Sequence, residues 1–244
     1  MAYAQTAFLA GQAWVVGSFG DVAALREATA GGIAQRCDVA EIRLDVMLAQ
    51  GVEPTRALWQ QLAGVPLLFT ARRSDEGGAL GLDAAQRSSL LAAALDDAAY
   101  IDVELASHET MGDILAEASR RGIPWIASFH DFKKLPTTAV LVEAAQQARA
   151  AGAAVFKVAA QLNTLADVLR LAEFQLSPQG LPLATMGMGA WAPASRLLCA
   201  QCGSALNYGY LGSTPTAPGQ WDCGLLKQAI SQSLPPAQLG SLPL

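Results

Sequence analysis

The chain has 244 residues, of which 52% are hydrophobic and 15% are charged, and its formal net charge is −5. This content of apolar side chains excludes a disordered or polyelectrolyte protein and allows a large core. The negative charge, without any basic run, argues against non-specific nucleic-acid binding. No run approaches the roughly 18 apolar residues of a membrane span. The first residues lack a secretory signal pattern, so we expect a cytoplasmic location and no membrane partner.

Eight short β-rich runs alternate with helical patterns at a spacing of about 30 residues, which is typical of βα units. The run from Ala153 to Ala159 is almost continuously apolar, as expected for a parallel strand that is buried on both faces. The predicted strands are residues 14–18, 39–44, 66–70, 100–105, 124–129, 154–159, 183–188 and 206–210.

Helices between these strands have recognisable starts. Asp83, with Gln86 three residues later, has the spacing of a capping box. Proline favours the first turn of a helix, and glycine favours the residue just after its end. The other predicted starts are Asp21 (helix to about residue 35), Pro136 (helix 137–151), Asn163 (helix to about residue 175) and Pro218, and the predicted ends are Gly122 and Gly152.

Eight strand–helix repeats over this length favour a closed (β/α)8 TIM barrel of the α/β class. An open sheet more often has about five or six strands. No linker or shift in composition divides the chain, so residues 1–244 are predicted to form a single barrel domain. The Pro-rich tail from about residue 234 is predicted to be irregular.

Four cysteines are present, and two of them, Cys199 and Cys202, have the CxxC spacing of a redox motif or half of a zinc site. No second CxxC or histidine pair completes a tetrahedral site, and the motif falls within a predicted helix. We therefore interpret the cysteines as small buried residues and expect no metal site. A redox role for the pair stays open.

Lys157 interrupts the apolar run of the sixth predicted strand, between Phe156 and Val158. Its amine must therefore lie inside the barrel or reach its rim. Because burial removes solvation from an ammonium group, the pKa of Lys157 should fall, and a neutral amine can attack a carbonyl carbon. The alternative is a structural lysine paired with an acidic neighbour, and its position alone does not separate the two.

His130 is one of two histidines and follows the fifth predicted strand. The carboxyl ends of barrel strands converge on the active site, which puts His130 at the mouth of the barrel, one strand before Lys157. Because histidine titrates near neutral pH, it can accept and return a proton in one cycle. The alternative is a histidine that satisfies a strand-end carbonyl. His108 lies in a predicted helix start and is expected at the surface.

Charged side chains cluster at two other strands. Glu41, Arg43 and Asp45 alternate with apolar residues, so they are predicted to share the inward face of the second strand. Asp102 and Glu104 alternate in the same way on the fourth strand. Charges that face a barrel interior need partners, and several at one end indicate a site for a polar substrate.

Two further arginines follow predicted strands. Arg72 comes after the third strand, with Glu76 just beyond it, and Ser195 and Arg196 open a predicted helix. A guanidinium can bind a carboxylate through two parallel hydrogen bonds. Residues 216–220, Thr-Ala-Pro-Gly-Gln, are predicted to form a turn before the last helix.

Taken in order, these segments resemble the type I 3-dehydroquinate dehydratase family. The likeness covers nearly the whole chain and depends on the ordered set, because any one of the motifs is weak alone. The matching segments are Glu41-Ile-Arg-Leu-Asp45, Phe69-Thr-Ala-Arg72, Glu76-Gly-Gly78, Ile101-Asp-Val-Glu104, Ser128-Phe-His-Asp-Phe132, Lys157-Val-Ala159, Ser195-Arg196, Gly203-Ser204 and Ala217-Pro-Gly-Gln220.

The resemblance implies a lyase of the shikimate pathway, in aromatic amino-acid biosynthesis, that dehydrates 3-dehydroquinate to 3-dehydroshikimate. Lys157 would form a Schiff base with the substrate ketone, His130 would act as acid and base, and Glu76 would position His130. The resemblance implies a homodimer, a small anionic substrate, no metal and no organic cofactor. The residues implied to bind the substrate are Ser18, Glu41, Arg43, Arg72, Arg196, Thr216 and Gln220.

The chain departs from the family pattern at three places. Thr216 stands where serine is usual, Ala192-Pro193 where a glycine is usual, and Gln161 where methionine is common. These differences bear on the closure of a loop and on the fit around the substrate more than on the chemistry.

Two other functions remain open. Another lysine-imine barrel, such as a class I aldolase or transaldolase, would share Lys157 but would not need Arg196 and Gln220 in this arrangement. A non-catalytic sensor barrel could keep the fold, although a binding module has no use for a desolvated nucleophile. Turnover of dehydroquinate discriminates among the three.

Overall fold

The computed structural model describes residues 13–233, and these contain eight strands. Each observed strand coincides with a predicted one, and no bound differs by more than two residues. The strands are β1 (Trp14–Phe19), β2 (Val39–Arg43), β3 (Leu67–Thr70), β4 (Tyr100–Glu104), β5 (Trp125–Asp131), β6 (Val155–Gln161), β7 (Leu183–Met188) and β8 (Leu206–Leu211).

The strands follow one another around the sheet in chain order, and β8 returns to pair with β1. Every ladder is parallel, as expected where a crossover connects each strand to the next. Between β7 and β8, the Ala205 N–H donates to the Leu183 carbonyl at 2.8 Å. The strands thus form a nearly closed barrel, which confirms the predicted (β/α)8 fold.

Nine α-helices and five short 3₁₀ segments connect the strands within residues 13–233. None of these helices is long and apolar enough to cross a membrane. The predicted Pro-rich tail lies outside the described residues. The helices are α1 (Val22–Glu27), α2 (Ala30–Arg36), α3 (Leu44–Ala49), α4 (Ala84–Ala94), α5 (Gly112–Arg120), α6 (Thr138–Ala150), α7 (Leu165–Leu176), α8 (Ala192–Gln201) and α9 (Cys223–Gln232).

The predicted capping box of α4 is present. The Asp83 side chain accepts from the Gln86 N–H at 2.8 Å, and the Gln86 side chain accepts from the Asp83 N–H at 2.9 Å. Asp21 caps α1 as predicted, by accepting a backbone N–H at 2.7 Å. Gly122 and Gly152 follow α5 and α6 closely, as predicted. Local polar signals therefore predict these ends correctly.

The helix predicted from Asp21 to about residue 35 is two helices rather than one. Ala28 and Thr29 adopt extended backbone between α1 and α2, and the Thr29 hydroxyl accepts from the Gly32 N–H at 3.2 Å. A threonine whose side chain caps a new helix offers the backbone an alternative to continuing the old one.

Three other predicted helix starts are wrong, for one common reason. In each case a side-chain oxygen one to four residues downstream of the predicted residue accepts a backbone N–H of the first turn. Pro136 and Pro218 have no side-chain oxygen, and at Asn163 the neighbouring Thr164 hydroxyl takes this role. The residues that cap α6, α7 and α9 are Thr137 instead of Pro136, Thr164 instead of Asn163, and Asp222 instead of Pro218.

The barrel interior changes from apolar to polar along the strands. Ile126 and Val155 belong to the apolar cluster that fills the interior, whereas Ser128 and Lys157, two residues further along the same strands, are polar. Residues two apart face the same side of a strand. The polar part of the interior therefore lies toward the carboxyl ends, where barrel enzymes have their active sites.

Candidate active site

A cleft opens at the carboxyl ends of the strands. Phe132, Met186 and Met188 contribute apolar surface to its wall. All of the residues for which a site role was predicted line this cleft: Ser18, Glu41, Arg43, Arg72, Glu76, His130, Lys157, Arg196, Thr216 and Gln220.

Lys157 lies inside the barrel with 4% of its surface exposed. Its Nζ donates to Asp102 Oδ2 at 3.0 Å and lies 4.1 Å from the centre of the Tyr208 ring. Burial lowers the pKa of Lys157, and Arg72 lowers it further, whereas Asp102 and Glu41 oppose the shift. The sequence left open whether Lys157 is a nucleophile with a lowered pKa or a structural lysine paired with an acidic residue. Both features are present, because the amine bonds Asp102 and still has a lowered pKa.

Asp102 is the centre of a buried network of charges. Its Oδ1 accepts from an Arg72 guanidinium nitrogen at 2.8 Å and from the Ser128 hydroxyl at 2.6 Å. The same Arg72 nitrogen contacts Glu104 at 3.0 Å, and Arg87 contacts Glu104 at 2.5 Å. Burial alone would raise the pKa of Asp102, but Arg72 and Lys157 hold it well below its usual value. Asp102 therefore stays ionised.

His130 is held by Glu76, which lies on the 3₁₀ segment Ser74–Glu76 after β3. Glu76 Oε2 lies 3.0 Å from His130 Nδ1 and accepts from the His130 backbone N–H at 2.9 Å. When Nδ1 donates to Glu76, Nε2 is left free as the basic nitrogen. Burial lowers the pKa of His130 well below its usual value, so the imidazole is neutral near pH 7. His108 lies outside the cleft and is half-buried rather than fully exposed.

The pH dependence of activity is expected to report on Glu76. Burial raises the pKa of Glu76 to about 7, and a protonated carboxyl is a weaker acceptor for Nδ1–H than a carboxylate. Since kcat/KM reports the free enzyme, it should fall as the pH drops through about 7. In Glu76→Gln this inflection should disappear from the initial-rate profile.

Asp75→Asn is the matched control for this prediction, because Asp75 lies on the same segment but pairs with Arg73 near the surface. Its profile should keep the inflection. A Glu76→Gln profile that still bends near the same pH would contradict the assignment.

Arg43 and Asp45 bind each other through two hydrogen bonds, and they do not both lie on the inward face of β2. Arg43 Nε and NH2 donate to the two Asp45 oxygens at 2.9 and 2.7 Å, and NH2 also donates to the Gly77 carbonyl at 3.0 Å. The predicted alternation of Glu41, Arg43 and Asp45 is wrong at its last member. Helix α3 begins at Leu44, so Asp45 lies in its first turn.

Glu41 and Ser18 lie side by side on β2 and β1 and share a hydrogen bond between their side chains. The other Glu41 carboxylate oxygen accepts from the Thr70 hydroxyl at 2.9 Å. Glu41 is buried and has no cationic partner in an ion pair among residues 13–233. Both side chains face the cleft, where their oxygens are available to hydroxyl groups of a ligand.

Arg196 is a buried cation that pairs with no carboxylate of the described chain. It is 2% exposed, its NH1 donates to the Tyr208 carbonyl at 2.7 Å, and its Nε has no acceptor within residues 13–233. Burial lowers its pKa to about 10, so it remains charged at neutral pH. A buried charge without a partner is costly, which favours an anionic ligand here. Arg196 lies in the second turn of α8, so the prediction that it opens a helix is wrong.

The turn at residues 216–220 covers one side of the cleft. Gln220 Oε1 accepts from the Thr216 N–H at 2.8 Å and from the Thr216 hydroxyl at 2.9 Å. The Gly189 N–H donates to the Pro218 carbonyl at 3.1 Å, which attaches the turn to the end of β7. Thr216 thus uses the hydroxyl that it shares with serine, and Gln220 keeps its amide nitrogen as a donor.

The cysteines take no part in this cleft. All four are free, and Cys37, Cys199 and Cys223 are buried as expected, whereas Cys202 is partly exposed. Burial raises the pKa of Cys199 to about 12, which disfavours the reactive thiolate. No group of metal-ligating side chains was found in residues 13–233.

Sequence reasoning missed three residues next to Lys157: Asp102 as its direct partner, Ser128 as a donor to Asp102, and Tyr208 beneath the amine. Asp102 was recognised only as an inward-facing charge. The register gives the missing signal for Ser128, since it lies directly beside Lys157 in the β5–β6 ladder. Tyr208 lies two strands from Lys157, so no local pattern connects them.

Comparisons with known proteins agree with the fold and identify the family. Residues 18–234 match the family described as type I 3-dehydroquinase. A 3-dehydroquinate dehydratase of Shouchella clausii is 33% identical over 220 residues, covering 85% of this chain and 86% of that protein. The one from Aromatoleum aromaticum is 34% identical over 200 residues, covering 77% and 76%. The crystal structure of 3-dehydroquinate dehydratase from Geobacillus kaustophilus has a TM-score of 0.78 and 26% identity, and the match covers 90% of each chain. The chain belongs to the type I 3-dehydroquinase family.

Proposed function

We propose that this protein dehydrates 3-dehydroquinate to 3-dehydroshikimate through a Schiff base on Lys157, with His130 as acid and base. The observation that carries the proposal is the buried Lys157 amine, which shares one cleft with a neutral His130 and with Arg196, a cation that pairs with no carboxylate of residues 13–233. A nucleophile, a base and an anion-binding group are what the reaction needs. The chemistry requires neither a metal nor an organic cofactor.

Lys157 begins the reaction by adding its neutral amine to the substrate ketone. The C–N bond forms, the carbonyl oxygen leaves as water after protonation, and an iminium group remains. Because Lys157 has a lowered pKa, the neutral amine is more accessible than that of a solvated lysine. The bond to Asp102 holds Nζ in one direction. Among the arginines that line the cleft, Arg72 is one of the main causes of the shift in the pKa of Lys157, whereas Arg43 and Arg196 are not.

His130 then carries out the elimination. Its free nitrogen removes the proton next to the iminium carbon, and the C–H electron pair moves toward the nitrogen to give an enamine. The enamine expels the hydroxyl group, which leaves as water after taking a proton from the imidazolium. One imidazole can serve as base and then as acid because it keeps the proton that it takes in the first step and returns it in the second. Glu76 positions His130 for both steps.

The remaining residues bind the substrate. Arg196 binds its carboxylate, because this buried guanidinium pairs with no carboxylate of residues 13–233. Gln220 offers its free amide nitrogen to a substrate oxygen, and Thr216 positions Gln220. Substrate hydroxyl groups contact Glu41, with Ser18 beside it. Arg43 and Arg72 are fixed by carboxylate partners and orient the ring from the wall of the cleft.

The direct test is to add 3-dehydroquinate to the purified protein and to follow absorbance of the product enone. We expect absorbance to rise with 3-dehydroquinate and no turnover of sugar phosphates. Turnover of a sugar phosphate alone would favour an aldolase or transaldolase. Binding without turnover would favour a sensor barrel. The family match supports the dehydratase over both, and so does Arg196, which has no carboxylate partner in the described part of the chain.

Arg196→Lys is expected to weaken substrate binding strongly. Lysine keeps the charge but loses the planar fork that binds a carboxylate through two hydrogen bonds. We expect KM to rise roughly ten- to hundred-fold, about 1.4–2.8 kcal/mol, with a smaller change in kcat. Arg170→Lys, on the outer surface of α7, is the matched control and should leave both constants unchanged. A parent-like KM in Arg196→Lys would contradict the role of Arg196.

The homodimer, the cytoplasmic location and the single-domain organisation stay predictions. Exposed leucines on one face of α7, Leu165 and Leu169, offer apolar surface that a second copy could cover and so support the homodimer.

A further inference from the structure

The barrel is not sealed by a ladder between β7 and β8. These two strands stand at the two ends of the strand order. In the described part of the chain, one backbone hydrogen bond, from the Ala205 N–H to the Leu183 carbonyl, joins them near their starts. Buried backbone groups along an unpaired strand edge still need partners. We call the gap between β7 and β8 the seam.

Two serine hydroxyls supply partners for the backbone along the seam. Ser204 Oγ accepts from the Thr185 N–H of β7 at 3.2 Å and donates to the Leu206 carbonyl of β8 at 3.2 Å. Two residues further along β7, Ser195 Oγ accepts from the Gly187 N–H at 3.1 Å. Ser204 lies just before β8, whereas Ser195 lies on α8, the helix that connects the two strands. Side chains therefore take the place of ladder bonds at both ends of the seam.

Ser195 fits closely against Gly187. It is fully buried, and its hydroxyl also donates to the Ala192 carbonyl at 3.0 Å, at the start of its own helix. A Cβ at Gly187 would collide with Ser195 Oγ and with Leu162. The lack of a side chain at Gly187 thus allows the start of α8 to lie against the end of β7. The two hydrogen bonds of Ser195 fix the helix to the strand there.

Arg196, the next residue of α8, crosses the seam to β8. Its NH1 donates to the Tyr208 carbonyl at 2.7 Å, and the side chain lines the cleft. Tyr208 lies in the middle of β8, so the guanidinium passes between the strands rather than over their ends. Strands joined by a ladder lie about 4.8 Å apart, which leaves no room for such a group. The open seam is therefore what lets Arg196 reach the cleft from α8.

Resting on the proposed function, we propose that Ser195 is a positioning residue for binding of the substrate carboxylate, because it fixes α8 to β7 and so holds Arg196 in the seam. Ser195 bonds β7 and Arg196 bonds β8, so adjacent residues of one helix hold the two strands. Held in this way, the guanidinium faces the cleft in one orientation, and such preorganisation lowers the cost of binding. Ser195 does not line the cleft, so it acts through Arg196.

Ser195→Ala tests the assignment, because it removes the hydroxyl that bonds Gly187. We expect KM for 3-dehydroquinate to rise roughly three- to ten-fold, the range for one hydrogen bond, and kcat to stay within about two-fold of the parent value. A rise in KM with a constant kcat indicates a loss of substrate binding rather than of chemistry. If alanine prevents folding, Ser195→Cys keeps a weaker acceptor at this place and should show the same change in KM.

Ser204→Ala is the matched control, because it removes the equivalent hydroxyl at the other end of the seam. Both variants should lower the thermal unfolding midpoint, since each leaves a buried N–H of β7 without its acceptor. The Ser204 hydroxyl bonds the two strands and not α8, so Ser204→Ala should keep the parent KM. A purely structural role for Ser195 would instead leave KM unchanged in both variants.

Combining Ser195→Ala with Arg196→Lys tests whether Ser195 acts through the guanidinium. Residues that act through one another show effects that do not add. We therefore expect Ser195→Ala to raise the KM of the Arg196→Lys enzyme by less than about two-fold.

The outcomes separate this inference from the function on which it rests. Three results would overturn the role of Ser195 and leave the proposed function intact: a parent-like KM in Ser195→Ala, an equal rise in KM in Ser204→Ala, or fully additive effects in the double variant. If the parent enzyme does not turn over 3-dehydroquinate, both the inference and the proposed function are wrong.

Discussion

Replacing Lys157 with methionine is expected to lower kcat/KM for 3-dehydroquinate by roughly a thousand-fold or more, because it removes the group that bonds to the substrate. Methionine is unbranched and of similar volume, and its thioether can pack on the Tyr208 ring that lies beneath Nζ in the parent. Asp102 keeps its bonds to Arg72 and Ser128 in this variant, so its carboxylate is not left unpaired. The measurement is the rate of enone formation together with the thermal unfolding midpoint of the variant.

Lys133→Met is the matched control, since Lys133 is exposed in the segment after β5. It should keep the parent rate. If Lys157→Met unfolds near the parent temperature and still dehydrates the substrate at the parent rate, the covalent mechanism is wrong.

Replacing His130 with glutamine is the second change with a large expected effect. Glutamine can still hydrogen-bond Glu76, but it does not titrate, so the proton removal and return assigned to His130 lose their carrier. We expect kcat to fall by roughly 10²–10⁴-fold, the range for loss of a general acid–base group. Lys157 remains, so borohydride should still trap an imine with the substrate. The two measurements, kcat and the amount of trapped imine, therefore separate formation of the C–N bond from proton transfer.

His108→Gln provides the control with the second histidine of the chain. His108 bonds the Leu105 carbonyl through Nδ1 at 2.7 Å and does not line the cleft. Its replacement should leave kcat unchanged. A His130→Gln enzyme with parent-like kcat would remove His130 from the mechanism.

The barrel was predictable from the sequence because each strand is specified locally. Near-continuous apolar runs, such as the one around Phe156, mark strands that are buried on both faces, and their spacing leaves room for one crossover each. Helix starts were less predictable, because a single hydroxyl, such as that of Thr29 or Thr164, decides where a helix begins. Neighbouring residues with similar side chains could cap the same backbone N–H groups, and the sequence does not show which one does. The break between α1 and α2 is the clearest case.

The cleft was predictable only in part. Lys157 and His130 were identified because each is unusual in its own strand, and their placement together follows from the barrel geometry. The partners of Lys157 were not identified, because Asp102 and Tyr208 reach it across the interior from β4 and β8. Such contacts depend on the closure of the barrel, which no local pattern contains. The same holds for Arg196, whose lack of a carboxylate partner within residues 13–233 is visible only in the folded chain.

Reduction with borohydride in the presence of 3-dehydroquinate, followed by mass mapping of peptides, tests the central claim most directly. The account predicts one added substrate- or product-derived mass on the peptide that contains Lys157, and none when substrate or borohydride is omitted. Full turnover of the substrate with no adduct, or an adduct confined to Lys133, Lys134 or Lys227, would contradict it.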